Sequence, residues 1–470
     1  MITRGVINRW PVACCHAIVV LAGMTPLVAA GAAADSSVAP LRAAAQRAGL
    51  RVVEGTHLTL VTDRPTRAGD GVDELPRMFD EAFAAWCRHF AIDPGDHRDW
   101  RAFGCLVVDR ERFRAAGLLP DGVPDFSNGF CERNRFWMID QTNDAYRRHL
   151  LLHEGVHAFT ITLRNLDTPA WYTEGIAELL ATHRLEPDAD GLPRLAVTPM
   201  PQAATDVEQL GRIEAIQRLR AADAMPGLDD VFAAEGTAHG DINLYASSWA
   251  AVALLTLHPR HAAALQTLEQ GPLDRAFTQH LRQRPGWDAA LAARDYDAFT
   301  DDVDYGYDFS RSAIDWTAGA PLGDRRTVRV DAARGWQNSG LRLERGQRYA
   351  IRASGRAGVG QAAACQGVGQ ASACLLETEP DGISIDWYRH RPLGRLLAAQ
   401  WVEPHDAAPG ARPQHDAAPG ARPRFVVIAE AAAATFVAPV DGPLFFKLNE
   451  PPGALADNEG GFQVDVEPSE

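Results

Sequence analysis

Lysine is nearly absent from this chain: Lys447 is the only one, so arginine supplies the rest of the 46 basic side chains, against 61 acidic ones. With abundant alanine, this reads as the codon bias of a GC-rich genome and carries no function. The formal net charge of -15 excludes a protein that grips nucleic acid through its phosphates, since such proteins need a basic surface to displace counterions. Long apolar runs are also lacking beyond the first 34 residues, so the mature chain is expected to have no membrane span. With 470 residues and 46% hydrophobic content, two or three domains with separate cores can form.

The N-terminus is different in kind. Arg4 and Arg9 give a positive start, an apolar run follows through Val19, Val20, Leu21 and Leu27, and Ala32-Ala33-Ala34 offers a small-residue cleavage site. Residues 1–34 therefore read as a secretory signal peptide, and the protein is expected to be secreted or periplasmic. Export permits disulfides. Cys87, Cys105, Cys131, Cys365 and Cys374 would remain, an odd set in which at least one stays free or pairs between chains. Cys365 and Cys374 flank a Gly/Ala/Gln-rich loop and are the expected pair, whereas Cys87 on an apolar helix face and Cys105 in a strand read as core residues.

Apolar periodicity predicts a strand at 57–62, a helix at 72–90, strands at 103–108 and 135–139, then helices at 144–164 and 169–184. This is an α+β layout, strands first and helices after. Residues 206–299 read as mostly helical, with Tyr245 to Leu257 the most apolar stretch. From about 325 short strand-like runs separated by Gly, Pro, Asn and Asp predict an all-β sandwich. A tandem repeat, HDAAPGARPQ at 405–414 and HDAAPGARPR at 415–424, has no apolar face and reads as a duplicated exposed loop.

Chemistry concentrates in LLHEGVHAFTITL. His153 and His157 stand four residues apart, so on a helix both imidazoles leave one face and can bind a single Zn²⁺, with Glu154 beside the metal-bound water. Leu150, Leu151, Leu152, Val156 and Phe159 make this a buried helix that shows its polar groups only to a cleft. Downstream, in TPAWYTEGIAELLATH, Glu174 is placed to supply the third ligand of a His₂Glu site. The pattern HExxH, a gap of sixteen residues, then E-G-x-A-E after a Trp resembles the gluzincin zinc metallopeptidases, particularly the bacterial peptidase MA-like group. The resemblance covers roughly residues 55–265 and is strongest over 150–182. It implies Glu174 as the third zinc ligand and Glu178 as the acceptor of a hydrogen bond from a ligand histidine, which would fix its tautomer. The segment NLYASSWAAVALL resembles the helix that carries the family's oxyanion-stabilising tyrosine, implying that role for Tyr245. A tyrosine that merely anchors a buried helix with Trp249 is the alternative. By the same analogy, the strand at 135–139 would pair as an exposed edge with an extended peptide.

The runs AARGWQNSGLRLERGQRYAIRASG and LFFKLNEPPGALADNEGGFQVDV resemble the calcium-dependent, galactose-binding lectin fold of the PA-IL type, over about 327–467. The resemblance implies oxygen ligands for Ca²⁺ from Glu450, Asp457 and Asn458, with Ala454 giving only its backbone carbonyl. Glu450 stands where the family has Asp, Asp457 where it has Asn, and the galactose-selecting histidine is missing from Glu379-Pro380-Asp381-Gly382. A plain structural sandwich is the alternative.

These readings combine into a signal peptide at 1–34, an α+β gluzincin-like zinc metallopeptidase domain at 35–310 and a PA-IL-like β-sandwich at 325–470. The expected activity is peptide-bond hydrolysis by a metal-activated water with Glu154 as general base and Tyr245 as oxyanion donor. Peptides or proteins would be the substrates and carbohydrate a further partner, with Zn²⁺ at the first site and Ca²⁺ at the second. The alternative from another class is a non-catalytic extracellular protein that binds carbohydrate or a surface and carries a degenerate peptidase domain.

Overall fold

The structure is a computed structural model that describes residues 17–18, 38–67, 69–207, 211–234, 242–361, 375–404 and 422–470. Most of the signal segment, the Cys365–Cys374 pair and most of the tandem repeat lie outside them.

A six-stranded mixed sheet organises the N-terminal part. Its strands are β1 (Ala17–Ile18), β2 (Arg51–Glu54), β3 (Leu58–Thr62), β4 (Ala102–Val107), β5 (Gly129–Glu132) and β6 (Arg135–Ile139), in the order β1-β5-β6-β4-β3-β2. β3, β4 and β6 run parallel, and β5 turns back antiparallel to β6. The helices α1 (Val38–Arg47), α2 (Leu75–His89) and α3 (Arg110–Ala115) interleave with the strands, so the layout is mixed and not strands first. Parallel neighbours need a crossover, and helices supply it here. Both faces of the sheet are covered, so β4 is buried along its whole length. Leu60, Leu106, Phe136 and Met138 face the large helical core, while Val61, Cys105, Val107 and Trp137 face a smaller cluster with Ala45 and Phe113. That alternation is the period of two that a pleated strand imposes.

The helices α4 (Asp144–Leu163) and α5 (Ala170–Ala181) follow, with the hairpin His183–Pro187 and Pro193–Val197 after them. The expected helix at 169–184 thus ends at Ala181, where Thr182 turns extended and the chain enters a strand. Next come α6 (Arg212–Ala221), α7 (Leu228–Ala233) and α8 (Ile242–Leu257). The four helices α2, α4, α5 and α8 enclose one core through residues such as Trp86, Phe159, Trp171 and Trp249. Each fully buried large apolar side chain of this kind contributes roughly 1.5–3 kcal/mol.

From Ala320 onward the chain forms strands. Two five-stranded sheets, one centred on Arg348–Gln361 and Glu459–Pro468, the other on Leu396–Val402 and Gly442–Leu448, face each other across Ile351, Val359, Phe446, Phe462 and Val464. An ion pair and a hydrogen bond tie this part to the end of the helix Ala289–Asp302 and the residues just after it. Lys447 is buried and bonds Asp302 at 2.8 Å, and Tyr388 OH donates to Asp304 at 2.9 Å. Among the described residues no helix is long and apolar enough to cross a membrane. Cys87, Cys105 and Cys131 are free and buried, and burial pushes the Cys87 thiol up to about 11.

Candidate metal centre

α4 begins where Asn143 caps it, its side chain accepting from Tyr146 N at 2.9 Å. Such a cap is typically worth about 1 kcal/mol. Buried Arg147 then fastens the first turn to the end of β6, donating to Asp140 at 2.7 Å and pairing with Asp144. The helix is thereby held across the sheet, and His149, His153 and His157 line up along it at intervals of one turn.

Glu174 approaches from α5. That helix packs closely on α8 through Gly175, where a Cβ would stand 2.5 Å from Ser248 O. The result is convergence: His153 Nε2 and His157 Nε2 lie 3.1 Å apart, and Glu174 Oε2 lies 3.4 and 3.5 Å from them. All three side chains are buried, and together they form a group able to hold a metal ion. Glu154 is fully buried, and both its carboxylate oxygens lack a hydrogen bond among the described residues. It rests against the backbone of Gly129 on β5, where a Cβ would overlap its Oε1. Only glycine allows that approach.

Glu178, one turn after Glu174, accepts two bonds from Arg212, at 2.9 and 2.8 Å, and lies 3.3 Å from His153 Nδ1 and 3.3 Å from His149 Nε2. Tyr245 on α8 is buried, its ring 6.1 Å from that of His153 and beneath the Arg212 guanidinium at 5.4 Å. A cavity of about 20 Å³ lies among Asn128, Tyr146, His149, His153, Glu178 and Tyr245.

Electrostatics match the geometry. Burial disfavours a charge on His153, but Glu174 and Glu178 overcome it and raise its pKa to about 10. Burial would raise Glu174, yet His157 and His153 pull it down to about 2. Glu178, buried too, is held well below the usual carboxylate range chiefly by Arg212. Glu154 has no such cation in contact, and burial lifts it to about 8. Burial and the surrounding carboxylates push the Tyr245 hydroxyl upward, so it stays protonated.

His153, His157, Glu174, Glu154, Glu178 and Tyr245 are thus gathered in one place. Sequence reasoning missed two members. His149 was legible in the four-residue spacing ahead of His153; Arg212 lies 34 residues beyond Glu178 and had no sequence signal. The strand Arg135–Ile139 is not an edge: β4 and β5 pair with its two sides. β5 lies outside it, against Glu154, and its outer side pairs with β1.

In the C-terminal part, Glu450 and Asn458 meet. Glu450 Oε1 accepts from Gly360 N at 2.8 Å, Asn458 Nδ2 donates to Glu450 Oε2, and Asn458 Oδ1 is buried without a partner among the described residues. Burial raises Glu450 to about 7, with the Asp457 charge adding to it. The turn packs on the segment leaving the helices, Asp308 N donating to Pro452 O at 3.1 Å.

No family model matches the chain, and no curated protein matches it in sequence. Among solved structures, the N-terminal domain of EclA, a PllA-like lectin, is 21% identical over 32% of this chain and 98% of its own, at a TM-score of 0.20. An aminopeptidase N family protein from Idiomarina loihiensis is 11% identical over 90% of this chain and 69% of its own, at 0.32. The IMPa metallopeptidase from Pseudomonas aeruginosa is 12% identical over 67% of this chain and 27% of its own, at 0.16. Likeness of this order establishes no family. The described residues define a mixed α/β chain with a buried His₂Glu group that can hold a metal.

Proposed function

We propose that the chain is an exported zinc-dependent peptidase in which His153, His157 and Glu174 hold the metal and Glu154 acts as general base. The observation that carries this reading is the meeting of three buried donor atoms at 3.1–3.5 Å beside a carboxylate with two orphaned oxygens. Two donors, each about 2.1 Å from a tetrahedral ion, lie roughly 3.4 Å apart, so the spacing suits zinc. A site of two histidines and one carboxylate leaves a fourth position open, as a catalytic zinc requires.

When bound, zinc supplies a water of lowered pKa and a Lewis acid for the scissile carbonyl. The chain's own residues do the rest. Glu154 takes the proton of the attacking water at a carboxylate oxygen and passes it to the leaving amine. Tyr245, kept protonated, donates to the developing oxyanion. Glu178, 3.3 Å from His153 Nδ1, is placed to accept from it, which would leave the Nε2 lone pair for the metal. An extended substrate would pair with the outer side of β5, the strand that lies against Glu154, in the place that β1 of the signal segment holds, and not with the interior strand at 135–139. The Glu450–Asn458 turn is proposed to take Ca²⁺, a hard cation suited to buried oxygens.

Metal analysis of the dialysed protein together with a peptide-library digest tests this. One zinc per chain and cleavage lost with the metal are expected. Folded His153→Ala and Glu174→Ala variants that keep stoichiometric zinc would show that the site is assigned to the wrong residues.

A further inference from the structure

One histidine of the α4 face has no place in the scheme above. His149 is buried to 3% exposure, lines the small cavity beside the metal group, and among the described residues neither of its ring nitrogens makes a well-formed hydrogen bond. Its nearest polar neighbour is Glu178, at 3.3 Å from Nε2. A buried imidazole left without a hydrogen bond costs free energy, and Glu178 Oε2 is an acceptor within reach of Nε2.

His149, His153 and Glu178 are close enough together to suggest a second metal position. The contacts of Glu178 argue against that. Arg212 already covers both of its oxygens, with Nε on Oε2 and a terminal nitrogen on Oε1, and a cation would have to share the carboxylate with a guanidinium. His153 would also have to serve two ions at once. A hydrogen-bonding role meets neither obstacle.

Glu178 must present Oε1 to His153 Nδ1 if His153 Nε2 is to keep its lone pair for a metal. A carboxylate turns about its terminal bond, which is a soft torsion. Arg212 fixes the plane from one side, and the Tyr245 ring lies beneath that guanidinium. His149 Nε2 addresses Oε2, the oxygen that does not face His153. The cavity of about 20 Å³ that His149 helps to line has room for one water.

We infer that His149 is a positioning residue which, by donating from Nε2 to Glu178 Oε2, holds that carboxylate in the orientation that sets the His153 tautomer, and so tunes metal affinity from one helical turn away. The inference rests on the zinc reading above. Supporting groups of this kind typically change metal affinity or activity 10–100-fold when removed.

The experiment compares the parent with His149→Ala and His149→Gln by zinc competition against a chromophoric chelator, by the absorption spectrum of the cobalt-substituted protein, and by melting temperature without metal. Gln keeps an N–H donor of similar reach. A 10–100-fold weaker affinity and an altered cobalt spectrum for Ala, largely restored in Gln, are the expected results. Unchanged affinity and spectrum in His149→Ala would overturn the inference, as would equal losses in Ala and Gln, which would mean that His149 acts by shape alone. A drop in metal-free melting temperature with affinity intact would likewise reduce it to packing. Failure of the parent to bind zinc would sink the peptidase reading instead, before any variant is compared.

Discussion

Replacing Glu154 with Gln keeps the size and polarity of the side chain and removes only its charge and basicity. In the metal-free protein the carboxyl is buried with no hydrogen-bond partner among the described residues, and burial raises its pKa to about 8 from an ordinary 4.5. A group whose folded pKa lies above its unfolded one contributes fully below the unfolded value and loses that contribution as pH rises through the folded one. Glu154 therefore costs nothing near pH 4.5 and progressively more up to about pH 8. The gap corresponds to at most roughly 5 kcal/mol at 1.36 kcal/mol per pH unit. Metal-free Glu154→Gln should melt close to the parent at pH 4.5 and increasingly above it toward pH 8. With zinc restored, the variant should bind the metal normally and cleave 10²- to 10⁴-fold more slowly, the typical contribution of a general base. Thermal melts of chelator-treated protein across this pH range, zinc analysis and a cleavage assay measure all three. Near-parental turnover, or a melting difference that does not widen with pH, would refute the reasoning.

Two further predictions concern the other groups. Tyr245→Phe should keep its zinc and its fold but lose 10²- to 10³-fold in kcat, the usual effect of removing an oxyanion donor; an unchanged kcat would leave Tyr245 as a helix anchor. In the β-rich part, Glu450 is raised to about 7 by burial, so without a cation its contribution falls as pH climbs from 4.5 to 7. At pH 8 millimolar Ca²⁺ should raise the melting temperature of the parent, by mass action on the folded state, and should not raise that of Glu450→Gln. Equal shifts in both proteins, or none in either, would leave the turn without a calcium role.

Local pattern alone was enough to place the helix that carries His153 and His157. Four-residue spacing puts His153 and His157 on one helical face whatever surrounds them, and the apolar residues around them, Leu150 to Leu152, Val156 and Phe159, announce burial. The strands at 103–108 and 135–139 and most of those after 325 were legible for the same reason, since alternation and turn residues act over a few positions. Short strands such as Arg51–Glu54 and Gly129–Glu132 were not, because they owe their form to pairing with distant partners rather than to their own composition. The order of strands in the sheet decided that Arg135–Ile139 lies inside and Gly129–Glu132 beside Glu154, and no periodicity carries that information. The electrostatics of the site came from tertiary contact alone. Arg212 reaches Glu178 across 34 residues, and Glu154 is raised while Glu174 is lowered although both are buried glutamates. A carboxylate's pKa depends on which cations the fold brings within hydrogen-bonding distance, and that distance is set by packing and not by sequence separation.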